Sequence, residues 1–263
     1  MRLRPVRVAW SYFRVGAMNE LQYRVNFVIE VFRSLLSLGT GLVVLSLVFS
    51  HTPELNGWSR PELLAVLGVQ IMVGGIIQSV IQPNMERLMQ DVQRGTFDFV
   101  LAKPEDAQLL VSVREYRIWQ ATDIVSGFIV LIVAMVQLDI RPGVLEGLAF
   151  LAALGVGTVL LYCFWLILTT ASFWFVRIDQ IVEMFDGVFQ TGRWPIGTYP
   201  RWLRFGLTFL VPIAFAVTVP AEAFTSRLDG WTLAGAVGVC ALFLVFTRWL
   251  WRRGLTRYSG ASA

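Results

Sequence analysis

The chain has little that does chemistry in water. Its 263 residues include one histidine, two cysteines and only 15% charged side chains, and its single lysine is Lys103. His51 alone cannot assemble a metal site, and it reads as a surface loop residue beside Glu54. Cys163 and Cys240 both fall inside apolar runs, where they read as small hydrophobes and not as a disulfide framework. Beyond His51 no Ser-His-Asp or Cys-His set can be built. A phosphate-cradling P-loop needs Gly-Lys followed by Ser or Thr, whereas Lys103 is followed by Pro104. Low charge combined with 56% hydrophobic side chains and a mean hydropathy of +0.63 excludes an ordinary soluble domain. The 10 Trp and 19 Phe exclude intrinsic disorder. What remains is an all-α polytopic membrane protein, one transmembrane domain over 1–263.

A span needs ~20 mostly apolar residues to cross a hydrocarbon core about 30 Å thick. Runs at 25–50, 61–81, 122–138 and 145–174 meet that length, and further runs cover 205–224 and 231–251, giving six spans. The start is not expected to be a cleavable signal peptide, since the first strongly apolar stretch follows residue 24. With the N-terminus inside, eighteen of the 22 basic side chains flank the inner ends, only Arg60, Arg141 and Arg227 the outer ones, and Arg33 lies within the first span. That bias predicts both termini in the cytoplasm. The formal charge of +4 is therefore set by topology and does not imply a nucleic-acid partner.

Residues 1–24 hold Val6, Trp10, Phe13, Ala17 and Leu21 at helical spacing, with Arg4, Arg7, Ser11 and Arg14 on another face. This pattern predicts an amphipathic interfacial helix whose basic side chains meet lipid head groups. The only long polar segment between spans is 83–121, and long loops are the ones that carry function. Within it Met85, Leu88, Met89 and Val92 recur at i, i+3, i+4 and i+7, predicting a short amphipathic helix that Gly95 ends, with a second beginning near Glu105 or Asp106.

The run from Gln90 to Pro104, with an acidic helix, then Gly95-Thr96, then an apolar stretch closed by Lys103-Pro104, resembles the loop after the second span in permease subunits of type-2 ATP-binding-cassette exporters. Phe175-Val176-Arg177-Ile178-Asp179 resembles that family's aromatic-x-Arg-Asp turn, although an Ile separates Arg from Asp. The series Trp194-Pro195, Tyr199-Pro200-Arg201-Trp202-Leu203, Val211-Pro212 and Val219-Pro220 resembles its proline series before the last span, in the branch often found as two unlike subunits. The resemblance implies a coupling helix that docks in a cleft of an ATPase subunit through Glu86, Arg87, Gln90, Asp91, Arg94, Gly95 and Thr96. It also implies a second permease subunit, the same or related, and ATP and Mg bound by the partner ATPase, not by this non-catalytic chain. The setting it implies is the bacterial inner membrane, and the direction is export.

Hydropathy and the resemblance differ over the fifth span. Hydropathy makes it 205–224; the resemblance makes it 178–194 and turns 195–227 into an outer re-entrant segment, with Asp179, Glu183 and Asp186 on one face of a span. Ionisable groups in spans are functional candidates. Glu30 and Arg33, three apart, can pair within the first span, as a structural pair or as part of a path, and Asp123 reads as an interfacial acid. Trp165, Phe173, Phe189, Glu183 and Asp186 are candidates for a substrate path, where carboxylates and ring faces favour an amphipathic cation. Packing is the competing reading of the aromatics. An ion-driven secondary transporter or channel would show an internal repeat, and none is visible. An intramembrane enzyme using Glu183 and Asp186 lacks a nucleophile or metal set.

Overall fold

A computed structural model describes residues 4–140, 143–174 and 179–258, and the side chains of 4–5 and 179–183 lie outside the described ones. Among the described residues there is no β-strand, only one isolated bridge between Leu55 and Trp58. The chain opens with α1 (Arg4–Leu21) and α2 (Arg24–His51). There follow α3 (Arg60–Ile76), a π-helical turn (Ile77–Ile81) and α4 (Gln82–Gln93), which together make one 34-residue helix. The short α5 (Asp98–Leu101) and α6 (Ala107–Ser112) lead to α7 (Ala121–Leu138) and α8 (Val144–Thr170). After α9 (Asp179–Phe189) come α10 (Arg201–Phe205), α11 (Val219–Phe224) and α12 (Gly230–Leu255). His51, expected in a loop, is the last residue of α2.

Among the described residues five helices are long and apolar enough to cross a membrane, and a sixth passage is traced by what its ends touch. Phe173 packs on Phe97 and Tyr258 at one end of the bundle. At the other end the carbonyl of Gly197 accepts from Asn56 Nδ2 at 3.2 Å, so the chain crosses between them, through α9 and the 3₁₀ turn Gln190–Arg193. The next segment returns to that same end: Arg227 donates to the Gly57 carbonyl at 2.8 Å, pairs with Glu62 at 3.2 Å and lies over Trp58. Residues 195–228 thus begin and end beside residues 56–62. The hydropathic run 205–224 is not a span, because Arg201–Leu210 and Ala214–Phe224 meet at a 78° bend. Pro212 supplies the break, having no N–H to continue a helix. Irregular backbone at membrane depth is tolerated where protein buries it, and residues 213–219 are all buried. Gly157 makes room for them: a Cβ there would lie 2.6 Å from the Phe215 carbonyl oxygen.

Close packing of small residues holds α3 to α7. A Cβ on Gly127 would sit 2.6 Å from the Gly68 oxygen, so the two backbones touch, the contact that drives helix association in lipid. α3 is buried along nearly all its length, and α2 and α12 present most of their surface outward. In α1 only part of the predicted apolar stripe faces away from the protein: Val6, Trp10 and Leu21 are exposed, whereas Phe13 of the same stripe meets Tyr116 edge-on. The helix docks there and through its polar groups, Lys103 Nζ donating to Tyr12 Oη at 3.0 Å and Trp119 Nε1 to the Glu20 carbonyl at 3.1 Å.

Candidate functional site

The site begins with an unusual proline. A proline within a helix leaves the carbonyl four residues earlier without its donor, and for Pro83 that carbonyl belongs to Ser79. The π turn immediately before Gln82 widens the helix there, and Arg117 N–H donates to the Ser79 oxygen at 2.9 Å. The second span therefore continues unbroken into α4, a correction to the reading of 85–92 as a helix within a separate loop. A helix of 34 residues is ~50 Å long, some ~20 Å more than the hydrocarbon core, so α4 projects beyond it.

The segment 114–120 runs back along α4 and is stapled to it. Asn84, buried, donates from Nδ2 to the Glu115 and Val80 carbonyls at 2.7 Å and accepts on Oδ1 from the Arg114 and Glu115 N–H groups at 2.7 and 3.0 Å. Arg114 reaches the Asp91 carboxylate at 2.6 Å, and Arg117 reaches Glu86 at 2.6 Å. Arg87 also pairs with Asp91, at 3.3 Å. Further on, Arg33 pairs with Glu30 at 3.0 Å and donates to Gln78 and, at 2.6 Å, to Gln120, whose amide nitrogen donates to Glu30 at 2.8 Å. Helix α4, the lead-in to α7 and the first span thus share one polar network.

The turn after α4 explains its own residues. Gly95 has φ +68°, the left-handed conformation glycine adopts without strain. It lets the N–H groups of Thr96 and Phe97 return to the Asp91 carbonyl at 2.9 and 3.2 Å, while Thr96 Oγ1 donates to Asp91 Oδ1 at 3.1 Å. Phe97 is then fully buried among Phe173, Trp251 and Tyr258, tying the turn to the ends of α8 and α12. Asp106 caps α6 by accepting from the Gln108 and Leu109 N–H groups and binds Arg248 of α12 at 2.6 Å. The Arg248 hydrogen bond holds the Asp106 carboxyl below its ordinary range.

What remains outward is a compact surface. Arg87, Gln90 and Arg94 are exposed along α4, and Phe99 stands out of α5 with 76% of its surface free. Between them, Tyr12, Arg87, Arg94, Phe99 and Lys103 line a cleft of about 460 Å³. A large exposed aromatic ringed by guanidinium and amide groups is the composition of a protein-binding patch.

A family model described as ABC-2 family transporter protein matches residues 35–262. The chain belongs to this family. It is an ABC transporter permease, a multi-pass membrane protein whose family implies partnership with an ABC ATPase. No curated protein sequence matches the chain.

Set on this ABC-2 permease, the expected site residues divide. Arg87, Gln90 and Arg94 lie on the outward surface. Asp91 does not: only 5% exposed, its carboxylate is consumed by Arg114, Arg87 and Thr96, and Gly95 and Thr96 build the turn. Glu86 is half-buried against Arg117 and Gln82. Among the aromatics expected along a path, Trp165 is 1% exposed and packs on Phe185, Phe189 is buried in the same stack, and Phe173 belongs to the cluster around Phe97. In this conformation Trp165 and Phe189 are buried and Phe173 is half-buried, each in contact with at least one other ring. Asp186 is exposed, and the side chain of Glu183 lies outside the described residues. The sequence reading missed Asn84, Arg114, Arg117, Gln120 and Phe99. Pro83 carried a signal, since a proline inside a helical pattern implies a carbonyl that must find another donor.

Proposed function

We propose that the chain is the permease subunit of an ATP-driven exporter and that a separate ATPase subunit docks on the exposed tip built from α4, the Gly95 turn and α5. The carrying observation is that tip: an extension of the second span beyond the membrane, rigidly stapled inside and presenting Phe99, Arg94 and Arg87 outside. ATP and Mg belong to the ATPase subunit, and a second permease, the same or related, completes the path. Closure of the ATPase pair moves α4, and the Asn84 and Arg117 staples carry that movement to Gln120, to α7 and, through Arg33, to the first span. The tip end carries Arg7, Arg14, Arg87, Arg94, Lys103, Arg114, Arg117, Arg248, Arg252 and Arg253, against Arg60, Arg193, Arg201, Arg204 and Arg227 at the other, where Arg193, Arg201 and Arg204 correct the inner placement that hydropathy gave them. This asymmetry supports placing the tip and both termini in the cytoplasm, with α1 lying on anionic lipid in a bacterial inner membrane.

The test is purification of the tagged full chain from native membranes in mild detergent. An ATP-binding-cassette ATPase is expected in stoichiometric amount, with a second permease beside it if the pair is unlike; recovery of the chain with no ATPase would overturn the reading. For the cargo, Asp186 and Glu183 favour an amphipathic cation. Asp186→Asn and Glu183→Gln should lower export of cationic dyes from vesicles and spare neutral ones; equal export of cations by wild type and both variants would sink that assignment.

A further inference from the structure

At the end of the bundle away from the tip, α2, α3 and α7 leave a groove of about 500 Å³ between them. Its floor is Leu45, Leu64 and Val130, all buried, and its open rims are Val43 and Ile129, both exposed. Between Leu38 and Ser46 it follows α2 for roughly 12 Å, close to half of a ~30 Å hydrocarbon core. It is therefore one leaflet deep. The lining is apolar apart from Ser46, Gln137 near the outer end of α7, and Arg60 at the start of α3.

Arg60 is exposed and its guanidinium is available to an anion. It is the first residue of α3, at the helix end where the macrodipole disfavours a cation. The acid two residues on cannot serve it: Glu62 accepts from Ser59 N and Oγ at 2.7 and 2.8 Å and pairs with Arg227 at 3.2 Å. Among the described residues Arg60 has no hydrogen bond or ion pair. A slot of acyl-chain depth, open to the bilayer and headed by an uncompensated guanidinium, matches one class of molecule. We infer that the groove holds one acyl chain of an anionic phospholipid whose phosphate is bound by Arg60. The assignment rests on the spans and the groove alone, so it stands or falls independently of the ATPase-docking reading.

Native mass spectrometry of the full chain in mild detergent tests it, with phosphatidylglycerol and phosphatidylethanolamine of identical acyl chains as probes. The wild type is expected to retain one phosphatidylglycerol at about tenfold lower concentration than phosphatidylethanolamine, the scale of a charge-assisted hydrogen-bond pair. Arg60→Gln should erase that preference, Arg60→Lys should keep part of it, and Ile129→Trp, which fills the groove, should weaken both lipids. Unfolding temperatures in detergent control for folding, and Arg60→Lys keeps the test informative if Arg60→Gln is damaged. Equal retention of the two lipids by the wild type, or an unchanged preference in Arg60→Gln, would overturn the site. So would efficient disulfide formation between copies carrying Val43→Cys, which would put a second chain where the lipid should be.

Discussion

Asn84 satisfies four backbone groups with one side chain, and it is buried. Replacing it with Ala breaks a buried hydrogen-bond network, and Asn84→Ala should destabilise the stapled segment by about 2–4 kcal/mol, the upper range for a single substitution. Thermal unfolding in detergent, with proteolysis inside 94–120 as a local readout, measures it. The sequence did not expose this residue because its partners lie some thirty positions away and nothing local marks them. Gly95 and Thr96 were legible as a motif, but their reason was not: one supplies a left-handed turn and the other returns to Asp91. The resemblance counts Asp91 among the docking residues, because nothing local in the sequence says that Arg114 arrives there.

Among the elements, the long spans were legible because hydrocarbon thickness dictates their length. The join of α3 and α4 was not, since Pro83 reads as a stop until the π turn and the Arg117 donor are seen. The start of α6 was placed well, because an acidic cap is a local signal, and Asp106 has a second role through Arg248. Its carboxyl is held below the ordinary value by that arginine, so the charged form is favoured in the folded state. The contribution is therefore complete above the ordinary carboxylate value of about 3.9 and is lost as pH falls through the lowered one. Hydrogen exchange of α6, corrected for intrinsic rates, should be level from about pH 7 to pH 5 and loosen only below ~4. Asp106→Asn, which keeps the cap, should remove that acid step.

Across the whole molecule, hydropathy left the fifth crossing open because 205–224 is as apolar as a span. The choice is made by tertiary contacts that composition does not encode: Asn56 with Gly197, and Arg227 with Gly57, Glu62 and Trp58. Once those ends are fixed together, α9 must cross and the tip must stand at the opposite end with α1 and the end of α12. The same geometry separates two kinds of residue in one helix, those that staple α4 inward and those left for a partner.

The most direct measurement compares ATPase retention by purified wild-type and variant full chains. Phe99→Asp combined with Arg94→Glu changes only outward side chains, so the account predicts loss of the ATPase subunit with the unfolding temperature of the permease unchanged. Retention of the ATPase at the wild-type level would contradict it, and the docking surface would have to be sought elsewhere on the molecule.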